Sequence, residues 1–352
     1  MSGLLGYACC FMPPELHMWV LMFQAATYLG TYIRKCDVCG VRDARVMQRH
    51  TGRALCEKCF KENIVSRFSA EVSKYRMFGS GDRILLALSG GKDSYVLLDV
   101  VKEVHDVSKI GIVTIIEGIE GYNRFEDIDW IVATAREYGI DLYVTSFKEY
   151  TGYSLDELVK LGKLKGFDIS PCTYCGVLRR RIINYYARSQ GYDKVLTAHN
   201  LDDEVQTYIM NILRGDSGRL IQNHPLSRTL SRYFVKRVKP LRKIYEWETS
   251  VYAYMRGFRF QELECPYIRY QPTLRAEIRD YLYEVEQERP GSLLRVIEAI
   301  DIYIERELLS RPLGFEELPT CSACGAPTAQ GRKICVLCEV LDKLGISSRV
   351  PF

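Results

Sequence analysis

The sequence predicts an α/β protein, a parallel sheet with helices on both faces, flanked by two small zinc ribbons. Three observations carry this. Short apolar, β-branched runs alternate with segments of helical spacing, a glycine-rich turn directly follows the first such run, and paired cysteines stand near both ends. With 352 residues, 47% hydrophobic and 26% charged, the chain has room for one sizeable core and small appendages. That composition excludes wholesale disorder and a polytopic membrane protein. The net charge of +4 is too small to diagnose nucleic-acid binding, so the distribution of basic residues must decide. Eleven of thirteen cysteines fall into tight pairs or a motif, which points to metal ligands rather than disulfides, hence to a reducing, cytoplasmic setting.

Residues 1–34 form an extension. Its apolar stretch Leu16 to Tyr32 is broken by His17, Gln24 and Thr27, lacks a basic flank and is short for a membrane span. Whether it is a genuine extension or a product of start-codon choice, with Met22 as the start, is left open, and it is assigned no function. Residues 35–63 are polar and punctuated by cysteine, with no period long enough to build a core, so this module needs a metal to fold. The catalytic domain is expected over 64–312. Val65 to Phe78 leads in as a helix, and Arg83 to Leu88 (RILLAL) reads as a buried parallel strand.

Ser94 to Val104 has helical spacing, Ile110 to Ile116 is a second strand, and Phe125 to Tyr138 a second helix. Leu142 to Ser146 and Lys194 to Ala198 read as strands, Cys175 to Gln190 and Asp202 to Leu213 as helices. From Arg214 to about Lys243 the text is basic and loop-like, and helices return at Glu246 to Arg256 and Leu274 to Glu288. Pro312 to Pro319 reads as a linker, and 313–352 repeats the cysteine-paired character of the first module.

The sharpest motif is Ser89-Gly90-Gly91-Lys92-Asp93-Ser94, between strand and helix. Two glycines let the backbone turn tightly, so amides and a helix N-terminus face an anion while Ser89, Lys92 and Ser94 add donors and charge. An ordinary glycine turn capping a helix is the bland alternative, and the flanking strand and helix argue against it. The spacing is not that of a Walker A loop.

A second constellation is Pro171-Cys172-Thr173-Tyr174-Cys175-Gly176, followed by Val177, Leu178, Arg179, Arg180 and Arg181. Cysteines three apart can share a metal centre, and Cys265, in Glu264-Cys265-Pro266-Tyr267, is the remaining cysteine between the terminal pairs. The competing reading makes Cys172 and Cys175 a redox dithiol or persulfide carrier and Cys265 a small core residue. A third is His199-Asn200-Leu201-Asp202-Asp203-Glu204 at a strand-to-helix turn, where a switch of the sheet would set it beside the phosphate turn. Helix capping by Asn200 and a favourable first-turn Asp203 explain the same residues without chemistry.

Cys36, Cys39, Cys56 and Cys59 have sixteen residues between their pairs, and Cys321, Cys324, Cys335 and Cys338 have ten. Four thiolates at such spacing suggest structural zinc in closed sites that staple small modules. Arg228, Arg232, Lys236, Arg237, Lys239, Arg242 and Lys243, with Arg179 to Arg181, can meet phosphates or simply form a solvated face.

SGGKDS resembles the PP-loop of the ATP pyrophosphatases, and with PCTYCGVLRR, HNLDDEVQTYIMNILRGD and ECPY the chain from Cys36 onward resembles the tRNA 2-thiouridine synthetases. The resemblance implies an adenine nucleotide alpha hydrolase-like core and a 4Fe-4S cluster on Cys172, Cys175 and Cys265. It implies ATP and Mg2+ bound at Leu88, Ser89, Gly90, Gly91, Lys92, Asp93, Ser94, His199 and Asp202, with Lys92, Asp93, Arg179 and Asp203 as catalytic residues. Family members often carry lysine where Arg179 stands, so arginine leaves electrostatic stabilisation in place of proton transfer. The implied reaction adenylates a tRNA uridine and replaces its C2 oxygen by sulfur. HNLDDE with ECPY resembles the branch acting on the T-loop uridine, with the wobble uridine as the alternative. The implied partners are tRNA, a thiocarboxylated ubiquitin-like sulfur carrier protein and a second copy in a homodimer, with no membrane. Two other classes compete: a lysidine synthetase or amidotransferase of PP-loop type, and a non-catalytic zinc-ribbon RNA-binding protein.

Overall fold

The structure is a computed structural model that describes residues 34–122, 125–167, 169–269, 274–310, 317–347 and 350–352. The extension up to residue 33 and residues 312–316 of the expected linker lie outside the described residues. Two compact units divide between Ile64 and Val65.

In the first unit β1 (Val46–Gln48) and β2 (Arg53–Leu55) form an antiparallel pair, with Val46 opposite Leu55. Alternation along β1 buries Val46 and Gln48 and exposes Met47. Gln48 donates to the Asn63 side chain at 3.0 Å, fixing the pair to the start of α1 (Glu57–Tyr75). The apolar interior is small, essentially Val46, Leu55, Phe60 and Ile64, so the four thiols of this unit occupy most of its centre.

The second unit alternates strand and helix. Its first half comprises β3 (Ile84–Ala87), α2 (Lys92–Val104), β4 (Ile110–Ile116), α3 (Phe125–Tyr138) and β5 (Asp141–Ser146), then the short α4 (Phe147–Thr151) and α5 (Leu155–Leu164). Next come α6 (Pro171–Ser189), β6 (Lys194–Leu196), α7 (Leu201–Leu213), α8 (Ser217–Asn223) and β7 (Lys236–Val238). The chain closes with α9 (Glu246–Arg256), α10 (Pro266–Arg269), α11 (Leu274–Glu288), α12 (Ser292–Ser310) and α13 (Val336–Lys343).

The five strands are all parallel, in the order β5-β4-β3-β6-β7. Ile84, Leu85 and Leu86 point alternately to the two faces yet are each 0% exposed, so helices cover both sides of β3 as the apolar run foretells. Leu85, Val113 and Val195 pack on Ile183 and Ala187 of α6. A second core joins Leu201, Val205 and Tyr208 of α7 to Ile278 and Leu282 of α11 and Ile297 and Ile304 of α12. A third seats Leu337, Leu341 and Leu344 against Leu158 of α5 and Leu178 and Ile182 of α6, so the C-terminal cysteines belong to this unit's interior.

The chain winds outward through β3, β4 and β5, then returns to lay β6 on the other side of β3. Neighbouring crossovers therefore diverge between β3 and β6, opening a crevice at the strands' carboxyl ends.

Three expectations shift. The helix expected from Cys175 begins at Pro171, because proline fits a first helical position, so both cysteines lie in its opening turns. The tract 214–243, expected as loop, contains α8 and the edge strand β7, whose charges suit a sheet edge. Within that tract Arg242 is 0% exposed, bonded to Glu71 at 2.7 Å and Asp301 at 2.6 Å, and so is a buried strut rather than a phosphate ligand. Among the described residues no helix is long and apolar enough to cross a membrane.

Candidate active site

The turn after β3 stands at the switch point. Leu88 is buried, and its amide donates to the Val113 carbonyl at 3.0 Å, so its part is to hold the turn on the sheet. Gly90 takes a positive φ of +84°, which an L side chain would resist. Gly91 caps α2 without a side-chain hydrogen bond, and Ser94 Oγ donates to the Gly91 carbonyl at 2.7 Å. The first amides of α2 thus point outward beside Ser89, with the helix dipole behind them.

Lys92 Nζ lies 3.0 Å from Asp93 and 2.9 Å from Glu246 at the start of α9. Burial opposes its charge, yet the two carboxylates prevail and raise its pKa, so it stays an ammonium. Thr249 Oγ1 donates to the other Asp93 oxygen. Asp93 is therefore aimed by its neighbours on both sides.

Opposite, Asn200 caps α7 by accepting from the Asp203 amide at 3.0 Å, while the Asp203 carboxylate reaches back to the Asn200 amide at 3.4 Å. Asp202 accepts from the Glu246 amide at 2.8 Å, and Arg275 donates to Asp203 at 3.3 Å. Burial, with Glu246 and Asp203 nearby, pushes the Asp202 carboxyl up to about 7. Burial also raises Asp203, against the pull of Arg275, and with Glu246 and Asp93 adding repulsion it reaches about 6. His199 is reached by solvent, its Nδ1 3.0 Å from Thr197 Oγ1. Enclosure, then the cations Lys239, Arg237, Arg275 and Arg179, push its pKa down to about 3, so the ring is neutral at pH 7. Capping thus accounts for part of Asn200 and Asp203, but the acids Asp93, Glu246, Asp202 and Asp203, with Lys92 on the first two and Arg275 on the last, exceed what capping needs.

Cys175 and Cys265 pack against the same core of α5, α6 and the C-terminal segment, and Cys172 stands three residues before Cys175 on α6. Cys172 is exposed, the other two half-buried. Arg179 pairs with Glu117, one residue past β4, and donates to Cys175 Sγ at 3.4 Å. Burial pushes the Cys175 thiol up to about 11, Arg179 opposes it, and the charges of Glu117, Cys265 and Cys172 add to it. Cys265 is raised by burial in the same way, with Cys172 and Glu117 among the charges it feels.

The two outer cysteine sets are built differently. In each, the four Sγ atoms lie within 4.8 Å of one another, whereas Cys172, Cys175 and Cys265 form no such set. Cys39 and Cys56 are 3.9 Å apart, and Cys324 and Cys335 3.8 Å. A tetrahedron with metal–sulfur bonds of ~2.3 Å has edges of ~3.8 Å, so each set fits one tetrahedral ion such as zinc. Arg181 on α6 donates to Cys324 Sγ at 3.6 Å and Cys335 Sγ at 3.4 Å, tying the C-terminal set to the helix that carries Cys172 and Cys175.

The turn, the switch point and the parallel sheet define an α/β nucleotide-binding protein. Residues 61–285 match the PP-loop domain family, and residues 35–61 match the N-terminal LIM domain of the 2-thiouridine synthetase TtuA. A probable sulfurtransferase of Methanocaldococcus jannaschii is 33% identical over 87% of each chain. The tRNA-5-methyluridine(54) 2-sulfurtransferase of Pyrococcus horikoshii is 32% identical, covering 90% of this chain and 99% of that one. Among solved structures, the U34-tRNA thiolase NcsA from Methanococcus maripaludis with its 4Fe-4S cluster is 30% identical with a TM-score of 0.71, over 92% of this chain and 100% of that one. This chain belongs to the PP-loop family and, within it, to the sulfurtransferases of tRNA thiolation.

Sequence reasoning missed Glu117, Glu246, Thr249 and Arg275. The first stands at the carboxyl end of a foreseen strand, where site residues concentrate, and so was open to notice. The others enter the crevice from α9 and α11 through tertiary packing, and no local motif marks them.

Proposed function

We propose that this enzyme binds ATP on the Ser89–Ser94 turn, adenylates the C2 oxygen of a tRNA uridine and exchanges that oxygen for sulfur, with the T-loop uridine as preferred target. One observation carries the reading. The anion-binding turn stands at the switch point, and Arg179 brings its charge to Cys175, which shares a core with Cys265, and to His199 at the neighbouring strand-to-helix turn.

The α2 amides, Ser89, Lys92 and Ser94 bind the phosphates, and Asp93 and Asp203 would hold Mg2+, which supplies charge neutralisation there. His199, neutral at pH 7, lines the nucleotide site without adding charge. The uridine C2 oxygen attacks the α-phosphorus and the bond to pyrophosphate breaks, leaving AMP as the group that sulfur displaces. Arg179, fixed between Glu117 and Cys175, presents a permanent positive charge to the activated base. Cys172, Cys175 and Cys265, which belong to neither four-cysteine set, would be the ligands of a 4Fe-4S cluster, which when bound supplies an iron with an open position for sulfide. The two four-cysteine sets hold structural Zn2+ in ribbons over 35–63 and 313–352, around a catalytic domain over 64–312. Sulfide arrives from a thiocarboxylated ubiquitin-like carrier, and the enzyme works as a homodimer in the cytoplasm.

Anaerobically purified protein is expected to form AMP and pyrophosphate with tRNA and to thiolate it when sulfide is added. Asp93→Ala should abolish sulfur transfer and retain tRNA binding; undiminished thiolation in that variant defeats the reading. The likeness to a U34-tRNA thiolase favours a second target, the wobble uridine. Mass spectrometry of tRNA from cells lacking the protein separates the two by which thiouridine disappears.

A further inference from the structure

Immediately after Arg179 on α6, Arg180 and Arg181 line a cavity of about 830 Å³. Its walls are α6, α7, the tract 222–239 and the C-terminal residues 326–337 with Phe352. That volume lies in the roughly 300–1,000 Å³ range that encloses ligands of nucleotide size.

Its charge is one-sided. Arg180, Arg228 and Arg237 line it without a hydrogen bond or ion pair among the described residues. The acid on the wall, Glu204, is 0% exposed and already bonded to Lys239 at 2.6 Å and Asn223 at 3.2 Å. Burial lowers the pKa of both Arg180 and Arg237, and Arg180 adds its repulsion to Arg237, while the pull of Glu204 on Arg237 only partly offsets them. Such a wall selects an anion with several charges. Phe234 lines it too, 38% exposed, and offers a ring face. The cavity shares Arg275 and Thr207 with the adenylation crevice, where Arg275 donates to Asp203 at 3.3 Å and to Thr207 at 2.7 Å.

We propose that this cavity binds the unpaired nucleotides beside the target uridine, taking their phosphates on Arg180, Arg228 and Arg237 and one base on Phe234. The C-terminal ribbon is its outer wall. The inference rests on the tRNA reading above. A duplex displays its phosphates on a convex, rigid surface that a walled cavity does not admit, whereas splayed single-stranded nucleotides offer phosphate, ribose and an open base face together. The bound loop is therefore unstacked here as its uridine enters the crevice.

The test titrates the full-length protein with fluorescent unmodified tRNA at graded salt. Arg228 and Arg237 have no ion pair to lose, so the double variant Arg228→Ala/Arg237→Ala should keep the parent melting temperature and ATP binding. Its tRNA affinity should fall about tenfold, and its slope of log affinity against log salt should become shallower by about 0.7 for each phosphate no longer neutralised. The Arg228→Lys/Arg237→Lys pair should restore the slope. Phe234→Ala should weaken binding about tenfold with the slope unchanged. Parent affinity and slope in the double alanine variant, with thiolation intact, overturn the cavity assignment and leave the enzyme's function standing. A parent protein that neither binds nor thiolates tRNA removes the function itself.

Discussion

Asp202 shows how one residue serves the site at the expense of the fold. Its carboxyl is pushed up to about 7, above the usual 3.8, so the folded chain binds more protons than the unfolded chain between those values. Stability contributed by this group is lost as pH rises through that window. Asp202→Asn, which can still accept from the Glu246 amide, should melt higher than the parent at pH 8, with the gain vanishing near pH 4; calorimetry at both values checks this. Glu117 makes the opposite case. Its carboxylate is buried while its partner Arg179 is 42% exposed, so Glu117→Gln, which keeps the shape and an acceptor oxygen, should cost about 1–3 kcal/mol in urea unfolding. The same change takes the counter-charge from the guanidinium, and sulfur transfer measured by tRNA mass spectrometry should fall while pyrophosphate release persists.

Among elements, α2 and α6 open with the motifs on which the proposed chemistry rests. Gly90→Ala forces a side chain into φ +84°, at a cost of about 1–2 kcal/mol, although its Cβ would meet Ile131 at an ordinary 3.5 Å. Weaker ATP binding by calorimetry, with the sheet's circular dichroism unchanged, is the expected outcome. Helix α6 is fastened further along by Arg181, whose bonds to two ribbon sulfurs fix their orientation. Arg181→Ala should lower zinc affinity of the C-terminal site about 10–100-fold, read by chelator competition, and loosen the helix that presents Cys172 and Cys175. Strands β3 and β4 and helices α2, α3, α7, α9 and α11 were legible because burial writes its period directly into the sequence. Edge strand β7 and helix α8 were not, since a three-residue strand and a seven-residue helix are too short to show a period.

At the scale of the molecule, the second unit is braced by Arg242, which joins Glu71 of α1, Asp301 of α12 and the sheet's outer turn in one buried ion cluster. Arg242→Ala removes the buried counter-charge of two carboxylates and leaves them Lys243, 3.3 Å from Asp301 and 3.9 Å from Glu71, so it should cost about 3 kcal/mol, seen as a lowered urea midpoint. In the sequence this brace looks like part of a basic face, because charge along the chain does not reveal which side chains turn inward. The candidate site was legible where it consists of short motifs on strand ends, as at Ser89–Ser94 and His199–Glu204. It was illegible where Glu246, Thr249 and Arg275 arrive from helices remote in sequence.

Lys92, shared between Asp93 and Glu246, gives the phosphate turn a built-in stand-in for its guest. A bare sulfate or phosphate would have to compete with two carboxylates while satisfying neither of them. A nucleotide accompanied by a divalent cation supplies both signs at once, so it can swap partners with lysine and carboxylates together. On the proposed reading, chelated triphosphate rather than free anion is the key this latch is cut for.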